Sequence, residues 1–258
     1  LLPLLTSIAS PSIGGWLYAT YGLWGLRLAF IVSGVGVLIG AFVRALFVKE
    51  TLRRPLATPS FLPAIRNALL WTLSCVPALL TVAILFHFCW GVASIYFIYY
   101  AIDIIGLSPA LYGIISSATI ATNLLISPIA GHLIDKWGRR YSLLLGTLPI
   151  PFALLLFIHA TEFWTTLLAL ITVSSGGLIV WHAFAALLAD SVPRERRGRV
   201  FSIFELLEHA CGAAPALLVG GMLYDYNPVL PFLLSALLYT AMLALITLRI
   251  YEPTAPEA

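Results

Sequence analysis

The sequence predicts an all-α membrane protein, a polytopic bundle of eight transmembrane helices, and three observations support this prediction. Hydrophobic residues make up 61% of the 258 residues, charged residues make up only 10%, and the mean hydropathy is +1.01. Soluble domains carry roughly 25% charged residues, so this chain must meet lipid over most of its surface. The apolar stretches are long and continuous rather than alternating, which favours helices over a barrel.

Eight apolar segments follow one another along the chain. Each is close to the length that crosses a hydrocarbon core of roughly 30 Å, and each must be helical because lipid offers no partners to the backbone polar groups. The longest polar stretch, residues 49–73, separates the second segment from the third. The segments cover residues 1–19, 28–48, 74–101, 110–133, 142–160, 164–189, 201–224 and 230–250.

The basic residues orient this arrangement in the membrane. On the map of eight spans, all but one of the 14 Lys and Arg residues fall on the same side, and Arg27 is the exception. The positive-inside rule makes the rich side cytoplasmic. We therefore expect a multi-pass protein of the cytoplasmic (plasma) membrane with a cytoplasmic C-terminus.

Two short strings of the sequence resemble each other. A proline followed by a glycine pair occurs near the end of the first segment and again in the seventh, and both pairs precede a Leu-Tyr string. Small residues allow close helix approach and proline allows a bend, so both are candidate helix-packing motifs. The similarity also predicts a repeat of six helices, with only the last two of the first copy present. The residues are Pro11, Gly14, Gly15, Pro215, Gly220 and Gly221.

The most specific string, GHLIDKWGRR at residues 131–140, lies at the predicted cytoplasmic end of the fourth span. Its first glycine is expected to permit close helix approach and its second a tight reversal of the chain. The string closely resembles the signature loop of the major facilitator superfamily. Its characteristic residues are Gly131, Asp135, Lys136, Gly138, Arg139 and Arg140.

The resemblance extends along the chain. The string from Asp190 to Pro193, followed by Arg197 and Gly198, resembles the family's acidic, proline and Arg-Gly connection. Residues 49–52 resemble a Glu-Thr string common after the family's sixth helix. The resemblance implies helices five to twelve of a twelve-helix transporter, and hence a fragment. Residues 1–48 would end the N-terminal half, residues 49–73 would form the cytoplasmic linker, and residues 74–258 would form the complete C-terminal half.

The resemblance also implies a gating latch at the cytoplasmic face. In the family, the signature charges contact an acid of the neighbouring connection and the start of a helix in the opposite half. Carried over, Asp135, Arg139 and Asp190 would form the charge cluster, with Asp135 facing the start of the first span, where helix N-terminal N–H groups favour an anion. The alternative is that these basic residues only fix topology.

Ionisable groups within the spans are candidate functional residues, because burying them in hydrocarbon is expensive. Glu205, Glu208 and His209 share one face of the seventh helix. Counted by helix rise, His182 on the sixth span lies at roughly the same depth from the cytoplasmic side as Glu208. The two are therefore predicted to pair, and the pair to carry a coupling proton or contact a substrate. His87 and Trp90 on the third span are predicted to line the cavity. The alternative is a polar cluster that only packs the seventh helix.

The function predicted is secondary active transport of a small organic solute by alternating access, with proton-coupled efflux of a drug or metabolite favoured. Residues 10–15 resemble a fifth-helix string of proton-coupled antiporters, although Ser10 replaces its first glycine. Proton-linked uptake of a sugar or organic anion is the alternative, followed by a membrane enzyme with a metal site or a non-transporting sensor. We expect lipid, a small-molecule substrate and protons as partners, no enzyme activity, cofactor, metal or nucleic acid, and a monomer when complete.

Overall fold

The chain folds into helices connected by short turns. The computed structural model describes residues 2–47 and 61–252, and no strand occurs in these two ranges. Seven of the helices within them are long and apolar enough to cross a membrane, which confirms the predicted all-α, polytopic fold. The helices are α1 (Leu2–Tyr21), α2 (Leu23–Phe47), α3 (Phe61–Cys75), α4 (Pro77–Ile104), α5 (Pro109–Trp137), α6 (Arg139–Ile158), α7 (Phe163–Ser191), α8 (Arg197–Tyr226) and α9 (Leu230–Arg249).

The first helix, α1, differs from the predicted spans in its polarity. Its 20 residues are long enough to cross the membrane. It is not apolar enough to count among the seven candidate spans, whereas the sequence predicted eight spans. Ser7, Ser10 and Ser12 lower its hydropathy. One of these hydroxyls serves helix packing: Ser12 Oγ lies 2.7 Å from Ser117 Oγ on α5. Such hydrogen bonds hold transmembrane helices together.

Small residues bring α1 and α5 into close contact. A Cβ atom added at Gly15 would lie 2.5 Å from the carbonyl oxygen of Pro109, and one at Gly113 would lie 2.5 Å from that of Pro11. Only glycine fits at both positions, which explains why the backbones can approach so closely. Gly14, by contrast, faces open space within the described part of the chain.

The second glycine pair lies where α8 crosses α4. A Cβ at Gly220 would lie 2.6 Å from the Val92 carbonyl oxygen, and one at Gly221 would lie 3.2 Å from the Tyr96 hydroxyl. Pro215 follows a π-helical turn, Glu208–Ala213, and lies in the first turn of the α-helical stretch Ala214–Tyr226. This glycine pair therefore serves close helix packing.

Helix α2 begins earlier than predicted. Within the described ranges, α1 is the one helix that packs extensively against it. The predicted segment begins at residue 28, whereas α2 begins at Leu23, directly after Gly22, which has a positive φ of 57°. Arg27 consequently lies inside the helix, with its guanidinium 5.0 Å from the centre of the Trp24 ring. Gly25 is the one buried residue of α2, so most of its apolar surface faces lipid or other protein.

The polar stretch predicted as a linker contains a helix. Residues 61–75 form α3, which packs against the first turns of α8, while residues 48–60 lie outside the described residues. Trp71 is half-buried and Thr72 is buried, whereas Leu70 and Leu73 are exposed. The chain then breaks at Val76 (φ −132°, ψ 42°) before Pro77 begins α4. A mixed face of apolar and polar residues made this helix difficult to recognise from hydropathy alone.

The six helices α4–α9 pack around one apolar core. Helix α4 packs against α8 and α9, α7 packs against α5 and α6, and α9 also packs against α6. An aromatic cluster joins three of these helices, with ring centres 5.0–5.4 Å apart. The Tyr100 hydroxyl within it donates to the Ile158 carbonyl over 3.0 Å. The cluster consists of Phe97, Tyr100, Phe157 and Phe232.

Candidate functional site: a charged turn and a buried carboxylate

The signature loop forms the tight turn between α5 and α6. Helix α5 ends at Trp137 and α6 begins at Arg139, and Gly138 between them has a φ of 93°, which L side chains rarely adopt. The predicted reversal at Gly138 is therefore present. Gly131 differs from expectation: apart from its own turn of helix, no atom of the described residues lies within 4 Å of a Cβ built there, so it does not mediate close helix packing in this conformation.

Arg139 connects this turn to the end of α7. Its Nε donates to a carboxylate oxygen of Asp190 over 2.9 Å, and the two side chains are 30% and 29% exposed. The structure thus brings together two of the three charged residues of the predicted cluster. The pair ties the α5–α6 turn to the last turn of α7, next to the connection into α8.

Glu252, just beyond α9, completes the turn from the other side. One of its carboxylate oxygens accepts from the Arg139 backbone N–H and the other accepts from that of Arg140, each over 2.8 Å. An anion at the start of a helix satisfies unpaired N–H groups and interacts favourably with the helix dipole. The guanidinium of Arg140 donates to the Thr247 carbonyl over 2.7 Å and strengthens the same junction. Sequence reasoning missed Glu252.

The remaining residues of the predicted latch lie at the edge of this network. Asp135 and Lys136 are exposed in the last turn of α5. Asp135 lies 18 residues beyond Ser117, the α5 residue that contacts Ser12 of α1, which is roughly 27 Å further along α5 at 1.5 Å per residue. Contact between Asp135 and the first span stays a prediction. Arg197 donates to the Val192 carbonyl over 3.1 Å and so braces the α7–α8 connection.

A second polar site lies inside the bundle, between α4 and α8. Glu208 is only 2% exposed, and it begins the π-helical turn Glu208–Ala213. Its carboxylate lies 3.5 Å from Nδ1 of His87 on α4, and that nitrogen also lies 3.0 Å from the Ala83 carbonyl oxygen. The His87 ring contacts the Trp181 ring edge to face, with 5.8 Å between centres. The buried acid is therefore paired with a histidine.

The partner of Glu208 differs from the one predicted. His182 was expected to pair with Glu208, but its Nδ1 lies 2.8 Å from the Leu178 carbonyl oxygen of its own helix, and His87 occupies the place beside the acid. Several histidines lie at similar depths along their helices, and depth alone cannot select between them. The packing of α4 directly against α8 selects His87.

The π-helical turn brings further polar groups together. The ligand atoms of Glu205, Glu208 and His209 lie within 4.8 Å of one another, so they could contact a single cation. The His209 ring lies 5.3 Å from that of His87. A small cavity with room for about one water molecule borders Glu208 and His87. Trp90, one turn further along α4, is 40% exposed and its ring lies 6.4 Å from that of Phe97.

These features together define a class of protein. Helices that span a membrane, a charged turn on the basic side and a paired acid inside the bundle are typical of a polytopic solute transporter. The family model of the Major Facilitator Superfamily matches residues 79–258. The chain belongs to this family of membrane transporters.

Known relatives are similar to parts of the chain. A tetracycline resistance protein, class H, from Pasteurella multocida is 27% identical over 151 residues, or 57% of this chain. An uncharacterized MFS-type transporter from Bacillus subtilis is 31% identical over 107 residues (42%), and a Na⁺, Li⁺, K⁺/H⁺ antiporter from Planococcus maritimus is 31% identical over 104 residues (38%). The matched region covers 36%, 26% and 24% of these three relatives.

Proposed function

We propose that the protein is a proton-coupled secondary transporter that exports a small organic solute, and that Glu208 carries the coupling proton. The observation that supports this is the burial of Glu208 beside His87. A carboxylate inside an apolar bundle is expensive unless a cation or a proton neutralises it. The proton or cation that neutralises Glu208 can therefore be exchanged during a transport cycle.

The charged neighbours of Glu208 suit such an exchange. His87 lies on α4, Glu205 and His209 lie on α8 itself, and α7 contributes the Trp181 ring against His87. Histidine changes charge near physiological pH, and a second carboxylate nearby opposes a second negative charge. Either a proton or a cationic solute can thus balance Glu208, which favours antiport over uniport.

The charged turn is proposed as the gate. Arg139, Asp190 and Glu252 connect the start of α6 to the ends of α7 and α9. An ion pair that is about one third exposed contributes on the order of 1 kcal/mol or less, so thermal motion can open it. Asp135 and Lys136 would extend the gate to the other half of the transporter.

The direction of transport is proposed from the printed names of the relatives. One is a resistance protein for tetracycline and another exchanges alkali cations for protons. Both names fit efflux against an inward flow of protons. We further propose that the protein acts in the cytoplasmic membrane as a monomer, with the basic side and the C-terminus in the cytoplasm.

Everted membrane vesicles offer the test. With the interior acidified and reported by acridine orange, adding tetracycline should release protons from vesicles that contain the protein. We expect Glu208→Gln to abolish this proton release. Exchange of labelled for unlabelled tetracycline across the membrane should persist. Glu162→Gln, at an exposed position, serves as the matched control and should behave like the parent. Normal proton release by Glu208→Gln would disprove the role of Glu208, and no release by the parent would argue against drug efflux.

A further inference from the structure

A pocket opens at the basic side of the bundle, where α3 meets the first turns of α8. Its volume is about 410 Å³. Asn67 and Trp71 line it from α3, and Arg196 and Arg199 line it from the start of α8. The gate and the buried acid pair do not include any of these four residues. The pocket is therefore a separate feature of the molecule.

The two arginines that line the pocket make it suitable for an anion. Arg196 and Arg199 are exposed, and in the described ranges neither lies within 4 Å of a carboxylate. The Arg196 guanidinium lies 5.9 Å from the centre of the Trp71 ring, a cation–π distance that holds it at the mouth of the pocket. The amide of Asn67 adds a hydrogen-bond donor. A guanidinium group can donate two parallel hydrogen bonds to two oxygens of a phosphate, so a phosphate group fits this chemistry.

The surface beside the pocket is apolar. Leu70, which also lines the pocket, is 53% exposed, and Leu73, one turn further along α3, is 49% exposed. An amphipathic helix with exposed leucines next to basic groups suits the membrane interface, where acyl chains meet headgroups. A free phosphate ion would use the arginines but not the leucines.

We propose that this pocket binds the headgroup of an anionic phospholipid from the leaflet on the basic side, with Arg196 and Arg199 on the phosphate and the leucines of α3 on an acyl chain. Juxtamembrane basic groups attract anionic lipids, and basic pockets between helices bind their headgroups. A bound lipid bridges α3 to α8. It thereby stabilises the packing of the helix that precedes α4.

The test titrates the purified, detergent-solubilised chain with a short-chain phosphatidylglycerol and follows the midpoint of thermal unfolding. Phosphatidylcholine of the same chain length and inorganic phosphate are the comparison ligands. We expect phosphatidylglycerol to raise the midpoint most. Arg196→Gln or Arg199→Gln should weaken the apparent affinity about fivefold and the double variant roughly thirtyfold, as expected from the contribution of each arginine near an anionic headgroup.

Arg194→Gln is the matched control, because Arg194 is exposed in the same connection but does not line the pocket. Its affinity should change less than about twofold. Arg196→Lys with Arg199→Lys keeps the charge and should retain most of the binding even if the Gln variants are less stable. Three results would overturn the proposal: equal stabilisation by phosphatidylcholine, equal stabilisation by inorganic phosphate, or an unchanged response of the double Gln variant.

Discussion

Two acid–base pairs in the described part of the chain differ in their surroundings. Arg139 and Asp190 meet at 2.9 Å with about 30% of each side chain exposed, whereas His87 and Glu208 lie 3.5 Å apart with side chains 15% and 3% exposed. The closer pair is the more exposed one. Distance alone therefore does not rank the two pairs.

The environment decides what each pair can do. Water and ions screen Arg139 and Asp190, so the pair is weak and can open and close without a large change in free energy. Little water reaches Glu208, so removing His87 leaves a buried negative charge that must bind a proton or another cation. The exposed pair suits a gate, and the buried pair suits an exchange site.

The largest expected effect on stability comes from His87→Leu. It removes the partner of a buried carboxylate, and we expect a loss of about 3 kcal/mol in the free energy of unfolding, measured by denaturation in mixed micelles. The double variant His87→Leu with Glu208→Leu should recover most of the stability. A double variant as unstable as the single one would show that the pair does not matter.

A smaller effect is expected from Glu252→Gln. The amide keeps one acceptor oxygen but loses the negative charge and the second acceptor at the start of α6, at a cost of about 1 kcal/mol. Hydrogen exchange of the Arg139 and Arg140 amides should become about fivefold faster. Glu195→Gln, in the exposed α7–α8 connection, provides the control. Unchanged exchange at both amides would mean that Glu252 does not cap this helix in the membrane.

The smallest effect is expected from Asp190→Asn. It should lower the thermal unfolding midpoint only slightly, corresponding to less than about 1 kcal/mol, and the difference should vanish in concentrated salt. The informative measurement is the accessibility of the cytoplasmic face to a thiol reagent, followed at a cysteine introduced in place of Ser202, which is exposed. We expect faster labelling in Asp190→Asn. A large, salt-independent loss of stability would contradict a gating role and indicate a structural one.

The sequence predicted much of the fold because lipid constrains the chain strongly. Apolar runs and Gly138 located α4–α9 to within a few residues, since a span needs a fixed apolar length and a reversal needs a permissive backbone. Hydropathy missed α3; it located α1 to within two residues, although α1 is less apolar than the other spans. The serines of α1 pack against α5, and α3 carries both polar and apolar faces.

The sites could be predicted only in part. Arg139 and Asp190 were recognised because each lies in a short string of residues that resembles a family motif. The pairing of His87 with Glu208 depends on which helices are neighbours, and Glu252 lies more than one hundred residues from the turn that it caps. An acidic residue after the last helix could have suggested a helix cap, but nothing in the sequence indicated which helix.

Infrared spectroscopy of Glu208 tests the central claim most directly, because a protonated carboxyl group has its own carbonyl stretching band. Difference spectra of the purified protein across a pH titration should contain a band from a buried carboxyl that gains and loses a proton. This band should persist in Glu205→Gln and disappear in Glu208→Gln. A band of equal intensity in Glu208→Gln would show that another group takes up the proton, and would contradict the proposal that Glu208 carries it.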